Sequence, residues 1–190
     1  MQHLGRSITV KKNAISHEKC DALMSLIDNS PNMVHEQSKD NGSYSSETRY
    51  SAINLTMDSS PKLDQMVREL LVDSLNEYKK ILNIGYFLGN EFEPMNIMKF
   101  YVGKDKFTPH FDANGSDHFR TLAIILYLND VDEGGELILP SKQNPLCIKP
   151  CKGNLIIVPA NWTCYHSVTT PISNNRYSLI TFLRYTENLN

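Results

Sequence analysis

The sequence has no long apolar run and no apolar leader. No stretch approaches the roughly 18 consecutive apolar residues that a membrane-spanning helix needs. The first six residues lack the apolar core of a secretory signal peptide. These absences predict a cytoplasmic protein that has no membrane partner.

A strong excess of charge is also missing. The 19 basic and 21 acidic side chains give a net charge of −2, which offers no overall electrostatic attraction to a nucleic acid. A nucleic-acid substrate is therefore not expected, although a local basic groove would not show in the total. Nothing in the sequence specifies an oligomeric state.

Cysteine is scarce as well. Four cysteines in 190 residues are too few for the disulfide framework of a small secreted protein. Cys147 and Cys151 stand close together, but the second pair that a four-thiolate zinc site requires is missing. We therefore expect ordinary thiols.

The composition that remains is that of a globular domain. Hydrophobic residues make up 41% of the chain, which is enough to bury a core. Ser16 fits the N-cap of one helix, and Pro61 fits the first position of a second helix that runs to about residue 82. Between them, the polar stretch 29–48 has little periodicity and predicts a long loop, with a lid over an active site as an alternative.

From Asn96 onward, short apolar runs alternate with turn signals, which is the pattern of an all-β sandwich or barrel. The predicted strands are Ile8–Val10, Tyr50–Leu55, Ile97–Tyr101, Leu122–Leu128, Glu136–Leu139, Leu155–Val158 and Tyr177–Leu183. We predict one mainly-β domain with flanking N-terminal helices. In it, a helical and strand support layer (residues 1–95) packs against a jelly-roll-like barrel (residues 96–185).

A histidine and an aspartate two residues apart carry the first chemical signal. In an extended segment, alternate side chains point to the same side, so His110 and Asp112 can both reach one metal ion. His166 is the obvious candidate for a third ligand. Two imidazoles and one carboxylate form the facial triad that suits non-haem iron(II). Taken alone, His110 would fit a core histidine as well as a ligand.

An arginine on a later extended run carries the second signal. Arg176 lies ten residues after His166, and Ser178 shares its face of the run. A guanidinium offers a planar fork for a carboxylate, and the serine hydroxyl beside it adds a further donor. The pattern therefore indicates a metal site together with an anchor for a carboxylate.

In this order, the motifs resemble the prolyl 4-hydroxylase-type branch of the 2-oxoglutarate/iron(II) oxygenases. The resemblance covers roughly residues 96–185. It rests on Tyr101-Val102-Gly103, Phe107, His110-Phe111-Asp112, Tyr127-Leu128-Asn129, Gly134-Gly135-Glu136-Leu137, Lys152-Gly153-Asn154-Leu155, His166-Ser167-Val168 and Arg176-Tyr177-Ser178. It implies a double-stranded β-helix with the iron at one mouth.

The resemblance also implies roles for individual residues. Four would form the catalytic set: His110, Asp112, His166 and Arg176. The first three would hold iron(II), and Arg176 would bind the distal carboxylate of 2-oxoglutarate. Tyr101 and Tyr127 match positions where a tyrosine contacts this cosubstrate, and Ser178 is a further candidate. Arg120 is expected at the solvated surface.

The implied reaction is hydroxylation of an unactivated C–H bond, which consumes dioxygen and 2-oxoglutarate and gives succinate and carbon dioxide. Ascorbate is a further cofactor that the resemblance allows. A peptidyl proline in a peptide or protein is the favoured substrate. Another residue, a small molecule or a nucleobase stays open.

Three other functions are compatible with parts of the pattern. A nucleic-acid demethylase would pair the triad with a late arginine, but Arg184 lies too far from Arg176 along an extended strand for both to hold one 2-oxoglutarate. A non-catalytic, cupin-like metal-binding module would keep the triad without turnover. Zinc-dependent hydrolysis would use the triad but leave Arg176 without a task.

Overall fold

The computed structural model describes residues 1–37, 48–55, 61–84, 88–141 and 144–186. The described residues form strands β1 (Gln2–Gly5), β2 (Ile8–Lys11), β3 (Val34–Gln37), β4 (Arg49–Asn54), β5 (Glu91–Phe92), β6 (Asn96–Phe100), β7 (Phe107–His110), β8 (Arg120–Tyr127), β9 (Leu137–Leu139), β10 (Leu146–Ile148), β11 (Leu155–Pro159), β12 (His166–Val168) and β13 (Arg176–Arg184). They also form helices α1 (His17–Asn29) and α2 (Pro61–Ile81), and short 3-10 turns at Gly115–Asp117 and Trp162–Cys164.

Two antiparallel sheets build the β-structure. The major sheet runs β1-β2-β11-β8-β13-β6-β4-β3, with β5 beside β13, and the minor sheet runs β10-β9-β12-β7. Phe100 and Ile125 of the major sheet share one buried apolar cluster with Leu137 and Val168 of the minor sheet. This arrangement confirms the predicted mainly-β architecture of a double-stranded β-helix.

The two faces of the major sheet have different partners because side chains alternate along a strand. On β8, Leu122, Ile124 and Leu126 belong to the apolar cluster that contains the helices. Ala123 and Ile125 belong to the cluster between the sheets. The helices therefore cover the outer face, and the inner face is left to line a site.

The helices begin where the sequence predicts. The Ser16 hydroxyl oxygen accepts a 3.4 Å hydrogen bond from the Lys19 amide and caps α1, which buries Leu23 and Ile27. Helix α2 begins at Pro61, a residue without an amide hydrogen that the first turn does not need. Neither of the described helices has the length and apolarity needed to cross a membrane.

Strands from both parts of the chain share the major sheet. Strand β2 pairs with β11, and β4 pairs with β6. The N-terminal residues therefore contribute strands to the sheet on which the barrel is built, in addition to the helices that cover it.

The polar stretch 29–48 is described only in part. Val34–Gln37 forms β3 and pairs with β4, so the predicted loop is wrong for these four residues. Backbone pairing to an existing strand stabilises β3, and it needs no apolar periodicity in the sequence. Residues 38–47 lie outside the described residues, and so does most of the predicted lid.

The cysteines are free thiols, as predicted. Cys20 and Cys164 are buried, whereas Cys147 is exposed. Burial raises the pKa of the Cys164 thiol to about 12, so it stays protonated at neutral pH.

Candidate active site

The three predicted metal ligands meet between the two sheets. His110 ends β7 and His166 begins β12, and the two residues are paired across the minor sheet. Asp112 Oδ1 lies 3.4 Å from His110 Nε2, and Asp112 Oδ2 lies 3.9 Å from His166 Nε2. One ligand atom from each residue lies within 4.8 Å of the others, and all three side chains are buried.

Backbone carbonyls orient both imidazoles. His110 Nδ1 lies 2.7 Å from the Thr108 carbonyl oxygen, and His166 Nδ1 lies 2.8 Å from the Cys164 carbonyl oxygen. A carbonyl can only accept, so Nδ1 is the protonated, donating nitrogen of each ring. The lone pair is then left on Nε2, the atom that faces Asp112. Metal-ligating histidines are held in this way.

The donor set fits a divalent metal ion. Asp112 Oδ2 is buried and has no hydrogen-bond partner among the described residues. An unsatisfied buried carboxylate oxygen is costly, and a cation would satisfy it. Two imidazole nitrogens and one carboxylate match the ligand set of non-haem iron(II).

The electrostatics favour the protonation states that bind metal. Burial lowers the pKa of His166, so the imidazole stays neutral. Burial alone would raise the pKa of Asp112, but the neighbouring His166 and His110 more than offset it, so the pKa is lowered. The site therefore presents a neutral His166 imidazole and an ionised Asp112 carboxylate at neutral pH.

A buried arginine stands in the same space. The Arg176 side chain forms no salt bridge with any described carboxylate, and its Nε has no hydrogen-bond partner among the described residues. Its Nη1 donates a 3.1 Å hydrogen bond to Ser178 Oγ. Its Cζ lies 4.8 Å from the centre of the Phe100 ring and 5.1 Å from that of Tyr127. Burial lowers the pKa of Arg176, yet a guanidinium keeps its charge in proteins, so this cation requires an anion.

Tyr127 lies next to this arginine, with its ring centre 5.1 Å from Arg176 Cζ. Its hydroxyl is fully buried and has no hydrogen-bond partner among the described residues. Burial raises its pKa, so it stays a neutral donor. Arg176 and Ser178 line one cavity and offer donors to one carboxylate. Tyr127 does not line this cavity, and its contact with the cosubstrate stays a prediction.

One cavity joins the metal ligands and the arginine. It has a volume of about 380 Å³ and is lined by His110, Asp112, His166, Arg176 and Ser178. Most of the remaining lining is apolar: Ala52, Met98, Phe100, Phe107, Ile125, Leu137, Val168, Ile180 and Phe182. A pocket of this size suits a small ligand whose two ends are fixed by a few polar groups.

Tyr101 does not line this cavity, and its predicted contact with the cosubstrate stays a prediction. Met98 and Phe100 of β6 line the cavity, so by alternation Lys99 and Tyr101 face away from it. The Lys99 ammonium lies 4.8 Å from the centre of the Tyr101 ring, and Tyr101 lines a separate surface pocket with His35. Phe100 takes the position beside Arg176.

Tyr50 also lines the cavity, although nothing in the sequence links it to the triad. Its ring centre lies 4.9 Å from that of Phe107 and 6.2 Å from that of Phe100. The sequence predicts strand β4, but β4 reaches the cavity only because it pairs with β6. Residue spacing along the chain could not reveal this neighbourhood.

Arg120 lies in the cavity wall and not at the solvated surface. Its side chain is 15% exposed, and it forms a two-pronged ion pair with Glu93: Nε to Oε1 at 2.8 Å and Nη2 to Oε2 at 2.6 Å. Burial alone would lower the pKa of Arg120, but Glu93 more than offsets this effect, and the pKa is raised.

Arg184 lies outside the cavity. Its Nη2 is 3.2 Å from Glu91 Oε2, and its side chain is 42% exposed. The residue is therefore engaged at the surface, away from the metal ligands. This placement removes the anchor on which the comparison with demethylases rests.

Comparison with known proteins gives a family for the part of the chain that holds the site. The model of the 2OG-Fe(II) oxygenase superfamily matches residues 96–184. The matched residues, slightly less than half of the chain, are similar to that superfamily. Its name states the metal and the cosubstrate, iron(II) and 2-oxoglutarate, that the triad and the buried arginine fit.

Curated relatives include plant prolyl 4-hydroxylases. The chain is 28% identical over 140 residues to "Probable prolyl 4-hydroxylase 3" of Arabidopsis thaliana. The aligned region covers 70% of this chain and 45% of the relative. It is 26% identical over 161 residues to "Prolyl 4-hydroxylase 5" of the same plant, and this aligned region covers 79% of this chain and 47% of the relative. The chain thus spans about half the length of the curated relatives it matches.

Solved structures share the fold. A prolyl hydroxylase from Trichoplax adhaerens, in complex with a hypoxia inducible factor oxygen degradation domain peptide, has a TM-score of 0.77 at 17% identity, covering 95% of this chain and 84% of that one. The viral collagen prolyl hydroxylase of Paramecium Bursaria Chlorella virus-1, in its 2OG complex, has a TM-score of 0.65 at 17% identity, covering 96% and 98%. At these identities the likeness concerns the fold.

Proposed function

We propose that the protein is an iron(II)- and 2-oxoglutarate-dependent dioxygenase that hydroxylates an unactivated C–H bond. One observation carries the proposal. A buried arginine without a carboxylate partner among the described residues shares a cavity of about 380 Å³ with a buried triad of two histidines and an aspartate. A metal ion and a dicarboxylate would satisfy both groups together.

His110, Asp112 and His166 would hold the iron through two Nε2 atoms and one carboxylate oxygen. Arg176 would bind the distal carboxylate of 2-oxoglutarate, to which Ser178 adds a hydroxyl. When bound, iron(II) with 2-oxoglutarate and dioxygen supplies the oxidation, and the coproducts are succinate and carbon dioxide.

The apolar residues of the cavity and the neighbouring Tyr127 would exclude water and orient the cosubstrate. The Tyr127 hydroxyl is a neutral, buried donor beside Arg176, so it can hydrogen bond to the same carboxylate. The apolar side chains between Arg176 and the triad leave few other partners for a polar ligand. A 2-oxoglutarate held at its distal end would therefore direct its other end to the triad.

For the substrate we propose a peptidyl proline. The curated relatives are prolyl 4-hydroxylases by name, and one structure of the same fold holds a peptide. A different residue, a small molecule or a nucleobase is the alternative. We further propose that the described residues act as one catalytic domain in the cytoplasm. The four free cysteines fit a reducing compartment.

Succinate release tests the activity. Anaerobically purified protein receives iron(II) and 2-oxoglutarate, air is admitted, and succinate is measured with proline-containing peptides and with matched peptides that carry alanine instead. Stimulation and a gain of one oxygen only with proline would support the full proposal. Stimulation by another substrate would keep the oxygenase and reject the proline. Absence of succinate under every condition would reject the oxygenase.

The anchor has its own matched variants. Arg176→Met should raise the KM for 2-oxoglutarate by at least roughly 30-fold, because it removes one partner of a buried charge pair. Arg184→Met removes an arginine of the same strand that is engaged at the surface, and it should leave this KM unchanged. Equal KM values for the two variants would contradict the assignment of Arg176.

A further inference from the structure

A β-bulge turns Arg120 toward the cavity. On β8 and β13, Phe182 pairs with Ala123 and Leu183 with Leu122, but Arg184 pairs with Arg120. Thr121 is thus an extra residue in β8. In regular alternation Arg120 would share the outer face with Leu122, under the helices. The bulge places its side chain on the cavity side instead, and bulges beside active sites re-aim side chains in this way.

Contacts hold both the extra residue, Thr121, and its neighbour Arg120 in place. Thr121 Oγ1 donates a 3.0 Å hydrogen bond to the Leu183 carbonyl, and the Thr121 carbonyl accepts a 2.9 Å bond from the Ala160 amide. The Arg120 guanidinium packs on the Phe182 ring, with Cζ at 3.9 Å from the ring centre. The new direction of Arg120 is therefore fixed by its surroundings.

The donors of Arg120 converge on the segment that carries a metal ligand. The pair with Glu93, which is only 14% exposed, holds one edge of the guanidinium. Nη1 lies 3.4 Å from the Asp112 carbonyl oxygen and 3.2 Å from Asp117 Oδ2, at the end of the 3-10 turn that follows. Arg120 thus contacts this segment at Asp112 and again five residues later.

We propose that Arg120, anchored by Glu93, is a positioning residue for the metal ligand Asp112. It fixes the main chain of Asp112 and the turn after it, and so sets the direction of a carboxylate that must meet two imidazoles. This inference rests on the proposed metal site. Residues that orient ligands typically change metal affinity about 10- to 100-fold when they are removed.

Cobalt(II) binding to the metal-free protein tests the inference without any need for turnover. Arg120→Met keeps the length and apolar body of the side chain but loses every donor, and we expect the dissociation constant for cobalt(II) to rise about tenfold. Arg184→Met is the matched control, since it removes the cross-strand partner of Arg120 and only a surface ion pair. It should bind cobalt(II) like the unaltered protein.

Two more variants separate positioning from general loss of structure. Glu93→Gln leaves Arg120 in place but weakens its anchor, and Arg120→Lys keeps a charge that cannot bridge all four oxygens of Glu93, Asp112 and Asp117. Both should lie between the unaltered protein and Arg120→Met in cobalt(II) affinity, with circular dichroism spectra unchanged. If Arg120→Met does not fold, the cobalt(II) affinity of Glu93→Gln tests the positioning role in its place.

Three outcomes would overturn the inference. Arg120→Met and Glu93→Gln could bind cobalt(II) within about twofold of the unaltered protein, well inside the range expected for ligand-orienting residues. Arg120→Met could instead raise only the KM for the peptide, which would make Arg120 a substrate contact. Failure of the unaltered protein to bind cobalt(II), with His110→Ala no different, would reject the proposed metal site itself.

Discussion

Three buried polar atoms without hydrogen-bond partners among the described residues mark the site at the scale of single residues. They belong to Asp112, Tyr127 and Arg176. Each such atom costs about 1–3 kcal/mol when it is left unsatisfied, and more when the group is charged. Binding of a metal ion and an anionic ligand would offset this cost at Asp112 and Arg176.

Tyr127→Phe tests the buried hydroxyl. The variant removes the donor beside Arg176 and keeps the ring, so the affinity for 2-oxoglutarate should fall about tenfold, the effect of one hydrogen bond to a charged group. Quenching of the single tryptophan or isothermal calorimetry, with cobalt(II) in place of iron, measures this affinity.

Tyr101→Phe is the matched control, because the ring of Tyr101 faces away from the cavity. Its affinity for 2-oxoglutarate should equal that of the unaltered protein. If Tyr101→Phe weakened binding and Tyr127→Phe did not, the placement of both tyrosines would be wrong.

At the scale of elements, two glycines let the segment before β9 pass close to Arg176. Gly134 and Gly135 have φ values of +75° and +73°, in the left-handed region. A Cβ on Gly134 would meet the Thr170 carbonyl oxygen at 2.2 Å, and one on Gly135 would lie 3.2 Å from Arg176 Cδ. The close approach of this segment to Arg176 therefore depends on the absence of side chains.

Gly135→Ala should act on both stability and binding. The left-handed backbone would cost about 1–2 kcal/mol in the free energy of unfolding, and the methyl group would shift Arg176 and weaken 2-oxoglutarate binding several-fold. Gly103→Ala is the control, because Gly103 has a φ of +71° but nothing within 4 Å of its Cβ position. It should lose similar stability in urea denaturation and keep full affinity. Equal affinities in both variants would contradict the contact.

Strand alternation explains which parts of the site the sequence could predict. His110, His166 and Arg176 lie on strands, which the residues around them indicate clearly, whereas Asp112 lies in the bend just after β7. Tyr101 illustrates the limit, because a shift of one residue along a strand exchanges the two faces. The sequence predicts strand β6 but does not state which of its residues face the cavity.

Arg120 and Tyr50 illustrate a second limit. The bulge at Thr121 arises from pairing with β13, and no local residue pattern in β8 predicts it. Tyr50 reaches the cavity through the pairing of β4 with β6, two strands that lie far apart in the chain. Both placements depend on tertiary contacts, so reasoning from periodicity and spacing could not find them.

At the scale of the whole molecule, the buried triad couples stability to pH. Burial lowers the pKa of His166 in the folded chain, whereas the same imidazole in the unfolded chain titrates near pH 6.5. Between these two values the unfolded chain binds a proton that the folded chain does not. The free energy of unfolding of the metal-free protein should therefore fall as the pH decreases below about 6.5.

Urea denaturation of the metal-free protein at about pH 7.5 and about pH 5.5 measures this effect. His166→Gln removes the titrating group while keeping a polar side chain, so its midpoint should fall less between the two pH values than that of the unaltered protein. Groups away from the triad contribute equally to both proteins, so the difference between them reports His166 together with Asp112, whose pKa His166 lowers. Parallel decreases in the two midpoints would mean that His166 takes up its proton in the folded chain as readily as in the unfolded one.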